Sequence, residues 1–213
     1  MIFDKDGTLA NSHQYLWHLA EKRAELIDAI VPGLKSEILA AFGCGDPAGL
    51  MAIGTREENE IAIAALIGQE RSIVQSIFQQ ADRQLLRKAT LTPLYPGILD
   101  LVKSLSSLKL GILSSDIAPN IKDFAEEYQL SNYFQGIVGA QPGISKPNPK
   151  LLFLMCEALN VEPETALMIG DTIADTKLTP LSIGVTWGGS TIEQLGGARA
   201  IAHHPSDIQL SYV

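Results

Sequence analysis

Apolar positions along this chain fall into two patterns. Between residues 12 and 92 they recur at helical spacing, and no stretch reads as a strand. Leu16, Leu19, Arg23, Leu26, Ile27 and Ile30 set out a first helix, closed by Pro32-Gly33. A second is expected over Leu34 to Phe42, stopped by Gly43-Cys44-Gly45-Asp46-Pro47. Thr55 with Glu58 three residues on reads as a capping box opening a helix that carries Ile61, Ala65 and Leu66. Gly68 ends it, and Glu70 to Lys88 gives a fourth helical stretch.

On either side of this block the apolar residues gather into short runs instead: Met1-Ile2-Phe3, Leu110 to Leu113, Gly136 to Val138, Ala166 to Ile169 and Ile183 to Thr186. Helical patterns separate most of them, which is how a buried parallel sheet built from β-α units reads. A helix from Pro96 to Leu108 follows Tyr95-Pro96-Gly97, and Pro149 sits early in the next, where its missing N–H costs nothing. Ser190 and Glu193 offer another capping box. The expected fold is α/β: a Rossmann-like parallel-sheet core of residues 1–11 and 93–213, with an inserted all-helical cap domain at 12–92. Only Met1, Ile2 and Phe3 precede Asp4. The first strand is therefore expected to be a stub at the short end of strand lengths, or to be preceded by further native residues.

Charge narrows the classes of partner. The 24 acidic against 16 basic residues leave a net charge of −8, which disfavours a general nucleic-acid binder or a partner of anionic membranes. At 46% hydrophobic and 19% charged the chain is expected to fold rather than remain disordered. The longest apolar stretch, Ile61 to Ile67, falls far short of the roughly 20 residues a membrane span needs. Asp4, Lys5 and Asp6 stand where a signal peptide would be apolar. Cys44 and Cys156 are too few and too scattered for a disulfide framework or a zinc site. The expectation is a cytoplasmic protein without membrane or nucleic-acid partners.

The informative polar residues come directly after the apolar runs. They are Asp4-Lys5-Asp6-Gly7-Thr8, Ser114-Ser115-Asp116, Lys146-Pro147 and Gly170-Asp171, with Asp175 four residues further on. Ligands of open α/β sheets bind outside the carboxyl ends of the strands, so these sets are expected to converge on one rim. Several carboxylates forced together raise one another's pKa unless a cation shares them. A few hard oxygen ligands suit Mg²⁺, which retains waters and binds substrate phosphate. A lysine and a hydroxyl beside them complete a cradle for a dianionic group.

Asp4-Lys5-Asp6-Gly7-Thr8-Leu9, Ser114, Lys146-Pro147 and Gly170-Asp171-Thr172-Ile173-Ala174-Asp175 match, in order, the four motifs of the haloacid dehalogenase superfamily. The helical block resembles the C1-type cap of its phosphoglycolate phosphatase-like members. The resemblance implies a Mg²⁺-dependent phosphatase that hydrolyses a small phosphorylated metabolite, phosphoglycolate being one candidate, through an aspartyl-phosphate. Asp4 would be the nucleophile and Asp6 the general acid and base, while Ser114 and Lys146 would bind the phosphoryl oxygens. The metal would be held by Asp4, the main-chain carbonyl of Asp6, Asp171 and Asp175. A phosphomutase of the same superfamily shares every one of these residues, and a non-catalytic binding protein of the same fold is the third reading.

Each residue also has a plainer role open to it. Asp4 to Thr8 could form a surface turn, Lys146 a solvated loop, and Asp175 a first-turn acid complementing a helix dipole. Ser115 is an alternative to Ser114, and Asp116 reads as a helix cap. His13, His18, His203 and His204 have no partner at metal or triad spacing, and Arg56 reads as a solvated helix-start residue. The Cys44 loop either faces the site or merely joins two helices. The segment from Thr176 to Ser182, interrupted by Pro180, is about one turn shorter than the resemblance leads one to expect, which leaves the bracing of Asp171 and Asp175 open.

Overall fold

The computed structural model describes residues 1–46, 48–85 and 88–210. Its strands are β1 (Ile2–Phe3), β2 (Leu110–Leu113), β3 (Phe134–Val138), β4 (Met168–Gly170), β5 (Ser182–Val185) and β6 (Ala200–Ala202). They join in one sheet of order β3-β2-β1-β4-β5-β6, every neighbouring pair parallel. This is the doubly wound order, whose switch point lies between β1 and β4. The two-residue β1 holds the middle of the sheet because both its residues are buried and paired on both edges. Ile2 registers with Gly111 and Met168, and Phe3 with Ile112 and Ile169.

Helices α1 (His13–Asp28), α2 (Lys35–Phe42), α3 (Leu50–Ile53), α4 (Arg56–Ile67) and α5 (Arg71–Gln84) form a block inserted between β1 and β2. The block buries its own apolar cluster, including Leu19, Ile27, Phe42, Ile63 and Phe78. The chain leaves and re-enters the sheet layer side by side: Asn11 N–H donates to Pro93 O at 2.7 Å and Tyr95 N–H to Leu9 O at 3.1 Å. Helices α6 (Ile98–Ser104), α7 (Ala118–Glu127), α8 (Pro149–Leu159) and α9 (Ile173–Thr176) belong to the sheet layer. The Thr55–Glu58 capping box forms as expected, and Pro149 opens α8 behind the Asn148 cap.

Several local expectations are corrected. The first helix ends at Asp28, whose carboxylate accepts from the N–H groups of Gly33, Leu34 and Lys35 and turns the chain; Ile30 is exposed. The fourth helical stretch stops at Gln84 rather than Lys88. Residues 86 and 87 lie outside the described residues, as do Pro47 and residues 211–213, and Lys88 opens a short 3-10 turn to Leu91. The helix expected from Pro96 begins at Ile98 because Gly97 has φ +87°, a left-handed conformation no helix start can use. Ser190 and Glu193 do not cap a helix: Ser190 Oγ donates to the Asp171 carbonyl, and the reciprocal bonds run between Thr191 and Gln194. β6, three residues long, carried too short an apolar run to be expected.

Candidate active site

The carboxyl ends of β1, β2 and β4 and the loop after β3 bring together Asp4, Ser114, Asp171 and Lys146, all buried. Lys146 Nζ lies 2.7 Å from Asp4 Oδ1 and 2.6 Å from Asp175 Oδ1. One oxygen from each of Asp4, Asp171 and Asp175 lies within 4.8 Å of the others. Close approach here depends on glycine: a Cβ at Gly7, which has φ +83°, would fall 2.0 Å from Asp171 Oδ2. Thr8 Oγ1 donates to Asp171 Oδ1 at 3.0 Å and steadies it. The bracing of Asp175 does not come from a long helix after it. Its Oδ2 accepts from Thr172 N–H at 3.1 Å and Thr172 Oγ1 at 2.6 Å, a capping box on α9, while Lys146 holds Oδ1.

These three carboxylates and one ammonium sum to −2, and the titration of the acids reflects it. Burial, together with the charge on Asp175, pushes Asp4 up to about 7 against the pull of Lys146. Burial and then the charges of Asp4 and Asp175 push Asp171 well above the usual carboxylate range. Lys146, though buried, is held above the ordinary lysine range by Asp175 and Asp4. The donor set is all carboxylate oxygen, converging and short of positive charge, so it fits a small, hard divalent cation.

Asp6 is turned elsewhere. Its Oδ2 lies 2.7 Å from Lys5 Nζ and 3.1 Å from Lys88 Nζ, and its Oδ1 accepts from Ser12 Oγ. Asp116 closes the group, its Oδ2 at 3.0 Å from Lys5 Nζ and 2.7 Å from Lys88 Nζ. Burial acts to raise Asp6, but Lys5 and Lys88 prevail and hold it down to about 2. Asp116 is likewise held below the carboxylate range, by Lys88 and Lys5 acting against burial. Ser114 Oγ accepts from Asp116 N–H at 3.1 Å, tying the two groups together.

Lys5, Lys88 and the pairing role of Asp116 escaped the sequence reading. Lys5 between two aspartates was a visible signal, whereas Lys88 lies 82 residues from Asp6 and carried none. Arg56 is not merely solvated: it pairs with Glu60 at 3.0 Å and with Asp82. His13 reaches the rim, with Nε2 2.8 Å from Gly188 O, while His18, His203 and His204 are exposed. The Cys44 loop faces the site: Cys44, His13, Asp6 and Asp171 line one cavity of about 290 Å³. A second, of about 670 Å³, runs from Asp6 and Lys88 into the helical block. That block touches the sheet layer through Ser145 Oγ to Glu58 Oε1 (3.3 Å) and Ser115 Oγ to Ile53 O (3.4 Å).

A doubly wound core, a carboxylate cluster with a lysine at its switch point and a helical block over that rim define a hydrolase class in which chemistry and cover come from separate parts of the chain. Residues 1–177 match the haloacid dehalogenase-like hydrolase family, and the chain belongs to it. Phosphoglycolate phosphatase 1 of Pseudomonas aeruginosa is 26% identical over 193 residues, which are 82% of this chain. The chain spans 63% of that relative's length. Phosphoglycolate phosphatase of Salmonella typhimurium is 23% identical over 207 residues, covering 88% of this chain and 81% of its own. A haloacid dehalogenase-like family hydrolase from Streptococcus pneumoniae shares the fold, with a TM-score of 0.73, 23% identity and coverage of 97% and 94%.

Proposed function

We propose that the chain is a Mg²⁺-dependent phosphatase of small phosphate monoesters, with residues 12–92 as the cap over a core of 1–11 and 93–213. The observation that carries this reading is the Asp4 carboxylate held 2.7 Å from Lys146 within a cluster of net −2 at the strand ends. Mg²⁺, held by Asp4, Asp171 and Asp175 with the main-chain carbonyl of Asp6, would offset and orient the charge of the phosphoryl group. Asp4 attacks phosphorus, the ester P–O bond breaks, and the phosphoryl group is left on the Asp4 carboxylate. Asp6 supplies the proton to the departing alkoxide. It then takes a proton from the water that attacks the aspartyl-phosphate, releasing phosphate and restoring Asp4. Lys146 and Ser114 hold the phosphoryl oxygens during both halves. In the arrangement seen, Lys5 and Lys88 favour ionised Asp6, the form that the second half uses.

The names of the relatives make phosphoglycolate the first substrate to test. Purified protein incubated with aryl phosphate, phosphoglycolate and a panel of sugar phosphates is expected to release inorganic phosphate only with Mg²⁺. The Asp4→Asn variant is expected to be slower by about 10⁴-fold or more. Undiminished release by that variant would overturn the nucleophile assignment, and rearranged sugar phosphate in place of free phosphate would make the enzyme a mutase.

A further inference from the structure

Asp6 lines both cavities at the rim, so a leaving group on a phosphoryl centre at Asp4 has two ways to extend. The two are opposite in character. The larger holds Arg23, Arg56, Arg71 and Lys88. The smaller, of about 290 Å³, has no lysine or arginine among its described lining residues, and its carboxylates are Asp6, Asp46 and Asp171. Much of the remaining wall is apolar: Leu16 and Trp17 of α1, Cys44 of the loop after α2, and Met51 and Ala52 of α3. Met51 belongs to the core of the helical block, and Leu16 and Cys44 pack against that core, so this wall has a fixed backing.

Trp17 stands apart from that core. Helix α1 buries Tyr15, Leu19, Arg23 and Ile27 in the block, and Trp17 lies off this stripe, 43% exposed. A large aromatic left to water beside reacting groups gains by covering apolar ligand surface. Charge points the same way. An anionic tail would meet Asp46 and find no cation to pair with, and a hydroxylated tail would lose its water against indole, thioether and thiol. Asp46 Oδ1 already accepts from Ala48 N–H at 2.9 Å and from Gln194 Nε2 at 3.3 Å, the second bond drawing the Cys44 loop onto the sheet layer. We propose that this cavity takes the leaving group of the substrate, and that the group is uncharged, apolar and lies against Trp17. This deepens the phosphatase reading and rests on it for the placing of the reacting phosphate at Asp4. The substrate class it names is a phosphate monoester of an arylalkyl or alkyl alcohol without a second charge, unlike phosphoglycolate.

The test compares benzyl phosphate with three esters. Ethyl phosphate lacks the ring, 4-carboxybenzyl phosphate adds a second anion, and 2-aminoethyl phosphate carries a cation instead. Binding to the full-length Asp4→Asn protein with Mg²⁺ is measured by titration calorimetry, so turnover is not needed. Benzyl phosphate is expected to bind about 20-fold tighter than ethyl phosphate, as burial of a ring's apolar surface implies. It is expected to bind about tenfold tighter than the carboxylated ester, and 2-aminoethyl phosphate no tighter than ethyl phosphate. Trp17→Ala is expected to cut the benzyl-to-ethyl ratio to about threefold, with Trp17→Phe keeping most of it. Ala52→Leu, which fills the cavity from α3, is expected to weaken benzyl phosphate about tenfold and to leave ethyl phosphate unchanged. A ratio within threefold in the parent protein, or a preference for the carboxylated or amino ester, would overturn the proposal. So would a ratio that survives both Trp17→Ala and Ala52→Leu. Selective binding with no hydrolysis of any ester by the wild type sinks the phosphatase reading alone. Hydrolysis with binding blind to the ring sinks the subsite alone.

Discussion

Asp4 and Asp6 stand two residues apart, share the same strand end and are both largely buried, yet their carboxyl groups are driven in opposite directions. Asp4 faces two further carboxylates and one lysine and is pushed up to about 7. Asp6 faces one further carboxylate and two lysines and is held down to about 2. Burial raises both, so the neighbours decide the sign. The first group is short of positive charge by two and has use for a divalent cation. The second is neutral and complete in itself, and its second lysine arrives from the return of the helical block. The first fits a divalent cation, and the second ties Asp6, the proposed acid and base, to the return of the inserted block through Lys88.

Removing the lysine of each group should separate these roles. Lys146→Met is expected to lower phosphate release by about 10²–10³-fold, as loss of a main electrostatic partner of the transferring group does. A change below tenfold would move Lys146 from the reaction to the scaffold. Lys88→Met is expected to cost stability, because it leaves Asp6 and Asp116 sharing Lys5 alone. With the Lys88 side chain 17% exposed, the loss should be about 2–3 kcal/mol in urea unfolding, below the value for a fully buried pair. A loss under about 0.5 kcal/mol would mean the Lys88 pairing carries no load.

The pH dependence of the metal-free protein sharpens the contrast further. A carboxyl group raised in the folded state binds its proton more tightly there than in the unfolded chain. In chelator, Asp4 is therefore expected to add stability as pH falls from about 7 towards 4. Asp6, depressed in the fold, contributes stability that is present above pH 4 and is lost as pH falls towards 2. Urea midpoints measured across pH 2 to 8 should rise and then fall on acidification. Midpoints that only fall below pH 7 would contradict the first group's charge deficit.

The sheet was legible because each β-α unit left a short apolar run, and the site residues followed those runs in order. Asp4, Asp171, Asp175 and Lys146 were read from that position, and the structure brings their side chains together. The pairing of Asp6 and Asp116 through Lys5 and Lys88 was not legible, because Lys5 between two aspartates hints at a charge partner but nothing local points to Lys88, 82 residues from Asp6. The Ser190–Glu193 expectation failed for a related reason: the Ser190 hydroxyl has a partner in Asp171 that no local pattern reveals. Likewise Arg56 matched a helix start in sequence, and only the packing of α4 against α5 gives it Asp82. Local signals predict elements well, but charge partners across the fold arise from long-range closure.

Titration of Mg²⁺ into the wild-type protein, Asp171→Asn and Asp116→Asn tests the difference between the two groups most directly. One saturable site is expected in the wild type, with about 2.7 kcal/mol of added stability at a hundredfold excess over its dissociation constant. Asp116→Asn is expected to keep that site, and Asp171→Asn to lose it. Binding that survives in Asp171→Asn, or that disappears only with Asp116, would contradict the account.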